Sequence, residues 1–211
     1  MAVPVLGLLF PPICPVCRAA GSFDGAGSGA PCPECQRSLA GAPLGFGPVP
    51  PGLDWVCSAF RHEGIARKAL NAFKFERRTA LAAPLASLLA ARLRGLPPSG
   101  NLLAVPQSGV GGRFRGFDPA AAVAMELESL VDGHRFLPDL LRRTGPGRQR
   151  GRGRRARLDG ADRFDVRERL HGPVVLVDDV LTTGATLSAC AAVLREADAG
   201  PIGAVTLTRR V

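Results

Sequence analysis

The stretch Val174-Val175-Leu176-Val177-Asp178-Asp179-Val180-Leu181-Thr182-Thr183-Gly184-Ala185-Thr186 constrains the chain more than any other. Four consecutive apolar residues, three of them β-branched, predict a strand over Val174–Val177 that is buried on both faces. Such strands belong to parallel sheets covered by helices. Two carboxylates follow at the strand's C-terminal end, where open α/β sheets bind ligands. A Thr-rich turn then leads into a helix. Successive backbone N–H groups, hydroxyls and the positive end of the helix dipole together form a cradle for one phosphate. Gly184 lets a ligand approach the backbone closely. The carboxylates cannot bind that phosphate, but they accept hydrogen bonds from sugar hydroxyls or hold a divalent cation through water. A sugar phosphate satisfies both halves at once. The plainer alternative is that Asp178 caps the turn and Asp179 is merely solvated. Neither a Gly-x-Gly-x-x-Gly fingerprint nor a Gly-x-x-x-x-Gly-Lys-Ser/Thr loop is present.

A second feature lies near the N-terminus. Four of the six cysteines form two Cys-x-x-Cys pairs, Cys14/Cys17 and Cys32/Cys35. Two-residue spacing lets both thiolates of a pair face one ion, and the second pair then closes a tetrahedron. The reading is a structural zinc site over residues 1–42, closed to water by its four sulfurs. Its loss is expected to loosen that module alone. Disulfides in an exported protein are the alternative. Ala2–Phe10 has neither a basic leader nor a cleavage-site pattern, which favours a reducing, cytoplasmic setting. Cys190 reads as a small core residue.

The net charge is +9, and the run from Arg142 to Arg157 holds eight arginines and no acid. Concentrated positive charge calls for a polyphosphate or a nucleic-acid backbone, unless it is a solvated loop without a ligand. With one Trp and no Tyr, a base-stacking surface is not expected. No apolar run approaches the roughly 18 residues of a membrane span.

Along the chain, residues 43–54 read as a linker, and 55–211 as one domain in which strands alternate with helices. Helices are predicted over about 63–73, 79–94, 119–130 and 187–197. Strands are predicted over 101–105, 136–141, 164–166 and 202–207, beside the strand at 174–177. Asp118-Pro119 reads as an N-cap followed by Pro at the first helical position. Gly200 marks the end of the last helix. Residues 109–117 and 142–162 read as loops.

The segment Leu176–Thr186 resembles the binding motif of type I phosphoribosyltransferases. Taken with Cys14–Cys35, Phe73-Lys74-Phe75, Val105-Pro106, Arg113-x-Arg115-Gly116-Phe117, Arg143-Thr144, Gln149 and Phe164, the chain resembles the ComF family of competence-related, phosphoribosyltransferase-like proteins. That resemblance implies a mostly parallel sheet flanked by helices, with a small zinc-ribbon-like module in front. It implies phosphoribosyl pyrophosphate as ligand, bridged by magnesium. Asp178 and Asp179 would bind the ribose hydroxyls, and Thr182, Thr183, Gly184, Ala185 and Thr186 the 5-phosphate. Pro106, Gln107 and Lys74 would belong to the ligand site. Arg113 and Arg115 would stand by the pyrophosphate loop, and residues 142–157 would cover the site. The reaction implied is displacement of pyrophosphate by an unspecified acceptor nucleophile. The family's name also admits a non-catalytic role in DNA uptake, through competence proteins or single-stranded DNA. The chain departs from the family pattern at Gln107 and at Asp118-Pro119, on the pyrophosphate and acceptor side.

Overall fold

A computed structural model describes residues 11–21, 29–41, 43–93, 100–107, 116–144 and 163–211. Its central element is a six-stranded sheet in the order β1-β2-β8-β7-β3-β4. The strands are β1 (Pro43–Phe46), β2 (Trp55–Arg61), β3 (Asn101–Ala104), β4 (Arg135–Phe136), β7 (Gly172–Leu181) and β8 (Ala199–Arg209). All neighbouring pairs are parallel except β1 with β2. A separate antiparallel hairpin pairs β5 (Leu141–Thr144) with β6 (Arg163–Val166). The helices are α1 (Pro33–Ala40), α2 (Gly64–Phe75), α3 (Ala82–Leu93), α4 (Pro119–Leu130) and α5 (Ala185–Glu196), with a 3-10 turn at Thr79–Leu81.

Alternation along β7 explains the layers. Val175 and Val177 face a core built with Leu70 and Phe73 of α2, Leu85 and Leu89 of α3, and Val123 and Leu127 of α4. Val174 and Leu176 face the other core, with Leu187, Cys190 and Leu194 of α5 and Leu141 and Phe164 of the hairpin. The run Val174–Val177 therefore has no polar face, because both faces are covered. The α/β architecture with a mostly parallel sheet matches the expectation. No helix among the described residues is long and apolar enough to cross a membrane.

Several boundaries moved. Residues 43–46, read as linker, add an antiparallel edge strand, with Gly45 at φ +79. Edge strands tolerate the Pro and Gly that suggested a linker. The strand expected over 136–141 divides into the end of β4 and the start of β5 around Asp139 at φ +60. Arg142 and Arg143, read as the start of a loop, lie in β5 opposite Asp165 and Phe164. Arg148 to Arg157 lie outside the described residues. The left-handed residue after α5 is Asp198, at φ +66, and not Gly200, which lies in β8.

Asp118 caps α4 as the sequence indicates: its Oδ1 accepts from the amides of Ala120 (2.9 Å) and Ala121 (3.1 Å), and Pro119 opens the helix. Replacing Asp118 by Ala is expected to cost about 1 kcal/mol, read as a lowered thermal midpoint. An unchanged midpoint would show that the cap does not contribute.

Candidate functional site

The sheet order determines where a ligand can enter. From β3 the chain leaves toward β4, whereas from β7 it leaves toward β8. The connections after β3 and β7 thus diverge, opening a crevice at the carboxyl ends of these two neighbours. Pairing of β3 with β7 ends at Ala104 opposite Val177, with one further bond from Val105 N to Val177 O at 2.9 Å. Pro106 has no N–H to continue the ladder. β7 runs on beside β8 alone, with Asp178 opposite Thr206. Asp178 and Asp179 are therefore part of the strand, four residues beyond its fully apolar start, and not a turn after it. They stand where one neighbour has departed.

A cleft of about 270 Å³ fills this crevice. Lys74, Pro106, Gln107, Asp178, Asp179 and Thr186 line it, together with Arg143 from the hairpin. Lys74 comes from the last turn of α2, and its Nζ lies 2.6 Å from Asp179 Oδ2 with both side chains largely buried. Asp178 Oδ1 accepts from the Asp179 amide at 2.8 Å. Burial, reinforced by the charge on Asp179, pushes the Asp178 carboxyl up to about 8; that amide and Lys74 oppose the shift without cancelling it. In the free protein at neutral pH, Asp178 is thus largely protonated. A raised carboxyl in a cleft, beside a second carboxylate paired to a lysine, is a pattern that marks functional sites.

The turn after β7 has the expected form. Thr182, Thr183 and Ala185 are exposed, Thr186 lines the cleft, and Gly184 precedes α5 at φ +81. A Cβ at Gly184 would also lie 2.5 Å from Pro50 Cγ, so both the backbone angle and the close approach require glycine. The start of α5 leaves its first amides without intrahelical acceptors. Ala185 N makes a long 3.4 Å contact to Thr183 Oγ1. Gln107 Nε2 donates to Phe117 O at 3.4 Å, and its Oε1 is buried with no donor among the described residues. That orphaned acceptor suits a hydroxyl of a ligand, or water on a ligand-held cation.

Arg113 and Arg115 lie outside the described residues. Arg143 was read within the arginine run and, with Thr144, among the segments of the family resemblance; its place in the cleft, with the guanidinium 5.3 Å from the Phe164 ring centre, comes from the hairpin.

A second constellation lies at the N-terminal end. The Sγ atoms of Cys14, Cys17, Cys32 and Cys35 all lie within 4.8 Å of one another, close enough to hold a metal ion such as zinc. Cys14 and Cys35 are 3.9 Å apart, and Cys17 and Cys32 3.7 Å. Tetrahedral zinc with its usual sulfur distance needs about 3.8 Å. The first pair sits on a tight turn closed by Arg18 N to Cys14 O, with Arg18 at φ +66. The second pair begins α1, with Cys32 at its N-cap. Burial would raise the Cys14 thiol, but the amides of Cys17, Cys32 and Val16 outweigh it and hold it at about 6. Burial and the neighbouring sulfurs push Cys35 up instead. Without a cation the cluster cannot carry four thiolates, and a bound divalent ion reverses that balance. Cys14, Val16, Cys35 and Leu39 pack into the same core as Leu70 and Phe73. The cluster shares the main core, so loss of the ion is now expected to reach beyond residues 1–42. Cys57 and Cys190 are buried.

No protein-family model matches this chain, and no curated protein is significantly similar to it.

Proposed function

We propose that the chain binds phosphoribosyl pyrophosphate with magnesium in the cleft between β3 and β7, and acts as a phosphoribosyltransferase-like protein. The observation that carries this reading is the juxtaposition of Asp178 and Asp179 with Thr186 and the uncapped start of α5 around one crevice. The aspartates accept from the ribose hydroxyls. The turn at Thr182–Thr186 holds the 5-phosphate by amides and hydroxyls. Lys74 steadies Asp179 and sets a positive charge beside the pyrophosphate. Arg143 adds a second cation from the hairpin, at the point where the arginine-rich segment departs.

Magnesium suits this site as a cation carried mainly by ligand oxygens, because Asp179 is already paired and Asp178 is protonated in the free protein. When bound it would offset charge developing on the leaving pyrophosphate. The residues themselves orient the sugar, and the cations stabilise the leaving group. Zinc fits the four sulfurs and serves as a structural clamp with no coordination position left for water.

Calorimetric titration of the full chain with phosphoribosyl pyrophosphate and magnesium tests the reading. Saturable binding that tightens with magnesium is expected. Absence of heat under conditions where the protein is folded and zinc-loaded would refute it.

A further inference from the structure

A second cavity, of about 380 Å³, opens at the carboxyl ends of β2 and β8 beside the start of α2. Its wall carries Arg61, Arg67, Arg209 and Arg210, with His62, Glu63 and Val211. None of these residues lines the cleft at Asp178. Arg61 and Arg209 stand directly opposite each other in the β2–β8 ladder. Like charges in that position are destabilising unless something neutralises them. Among the described residues, neither forms a salt bridge to an acid, and neither do Arg67 or Arg210. Arg209 donates through Nη2 to Pro48 O, and its buried Nη1, against Gly47, has no acceptor among the described residues. The start of α2 has no side-chain cap, so its free amides add to the same positive field.

We infer that this cavity is a second anion site, which takes a phosphate group, free or on a small organic molecule, separate from the cleft at Asp178. Clustered guanidinium groups match the oxygens of a phosphate dianion with paired hydrogen bonds. A nucleic-acid backbone suits it less well. The cavity is concave, among the described residues no Phe, Tyr or Trp lines it for base stacking, and Glu63 stands in its wall.

The cavity also has a built-in reporter. His62 Nδ1 lies 2.9 Å from Thr208 Oγ1, which also stands 3.4 Å from Asp179 O, so the ring is held in the cavity wall. Burial, followed by the charges on Arg210, Arg67 and Lys74, holds His62 below its ordinary value, with Asp179 acting the other way. An anion among the arginines offsets their repulsion and raises the His62 titration midpoint.

The test is a nuclear magnetic resonance titration of the isotope-labelled full chain, without magnesium and at low salt. Inorganic phosphate and glycerol phosphate are added in separate arms. Expected are saturable shifts of the His62 ring signals and an upward move of its midpoint. In the double variant Arg67→Gln/Arg210→Gln, binding weakens by about tenfold or more, as expected for two lost charge-assisted bonds. Thr186→Ala, in the other site, leaves the His62 response unchanged. Tighter binding of the ester assigns an organic phosphate as the ligand, and equal binding assigns the phosphate group alone. His62 signals that stay still, or move identically in the double variant, overturn the inference. So does a single-stranded oligonucleotide that moves them at far lower concentration than either small anion. The two sites share no lining residue, but Lys74 and Asp179 of the cleft also act on His62, so it is the selective loss in Arg67→Gln/Arg210→Gln, with Thr186→Ala unaffected, that separates this outcome from the phosphoribosyl reading.

Discussion

Asp178→Asn/Asp179→Asn is expected to weaken phosphoribosyl pyrophosphate binding by about tenfold or more, because the Asp179 carboxylate becomes a neutral amide and a hydrogen bond to a charged group is worth roughly 1.5–3 kcal/mol. Calorimetry that finds undiminished affinity in the double variant would remove the ribose role. Stability should move the other way in the single variant Asp178→Asn. The carboxyl of Asp178 titrates at about 8 in the folded chain, well above an unfolded aspartate. A carboxyl raised on folding favours the native state fully below the unfolded value, near pH 4, and that contribution drains away as pH climbs toward 8. Asparagine has no such dependence. The variant should therefore gain on the wild type progressively across that window, by an amount on the order of a few kcal/mol at its upper end. Thermal melts at pH 4 and pH 8 check the sign. A variant that loses stability at pH 8 contradicts the account. The single change is the informative one here, since Asp179→Asn would strip the largely buried Lys74 of its partner.

Removal of the metal is expected to have the other large effect. Metal analysis of the native protein should find one zinc per chain, absent in Cys14→Ser. Because Cys14, Cys35 and Leu39 share a core with α2 and α3, loss of the ion should destabilise the whole unit. The fall is expected to be at least a few kcal/mol, roughly ten degrees in the thermal midpoint for a chain of this size. It should appear as one cooperative transition. A zinc-free native protein, or a main transition that stays in place while a small one melts early, contradicts it.

What the sequence conveyed was local. The apolar run Val174–Val177, the Asp118-Pro119 cap and the paired Cys-x-x-Cys spacings each encode their structure within a few neighbours, and the structure has a buried strand, a capped helix and four converging sulfurs there. What stayed hidden depended on partners far along the chain. The contact of Lys74 with Asp179 joins a helix end to a strand more than a hundred residues later. The strand at Pro43–Phe46 looks like linker because an edge position tolerates the residues that break interior strands. The position of Asp178 within β7 follows from where β3 stops pairing, which no periodicity in β7 records. The arginine cavity was obscured for a similar reason. Arg61 and Arg67 lie far in sequence from Arg209 and Arg210, and only the parallel register of β2 with β8 makes them one cluster. The dense run after Arg142 drew attention instead.

Pro50 bears on the bend at Gly184 from a segment that precedes the parallel sheet, and the two touch so closely that no methyl group fits between them. The bend's curvature is thus shaped by a remote prop as well as by its own threonines. If the bend holds a phosphate as proposed, a bulkier or softer residue at position 50 would retune its grip on a terminal phosphoryl group while every group that contacts it stayed the same, which gives variation a way to adjust affinity without editing the contact surface.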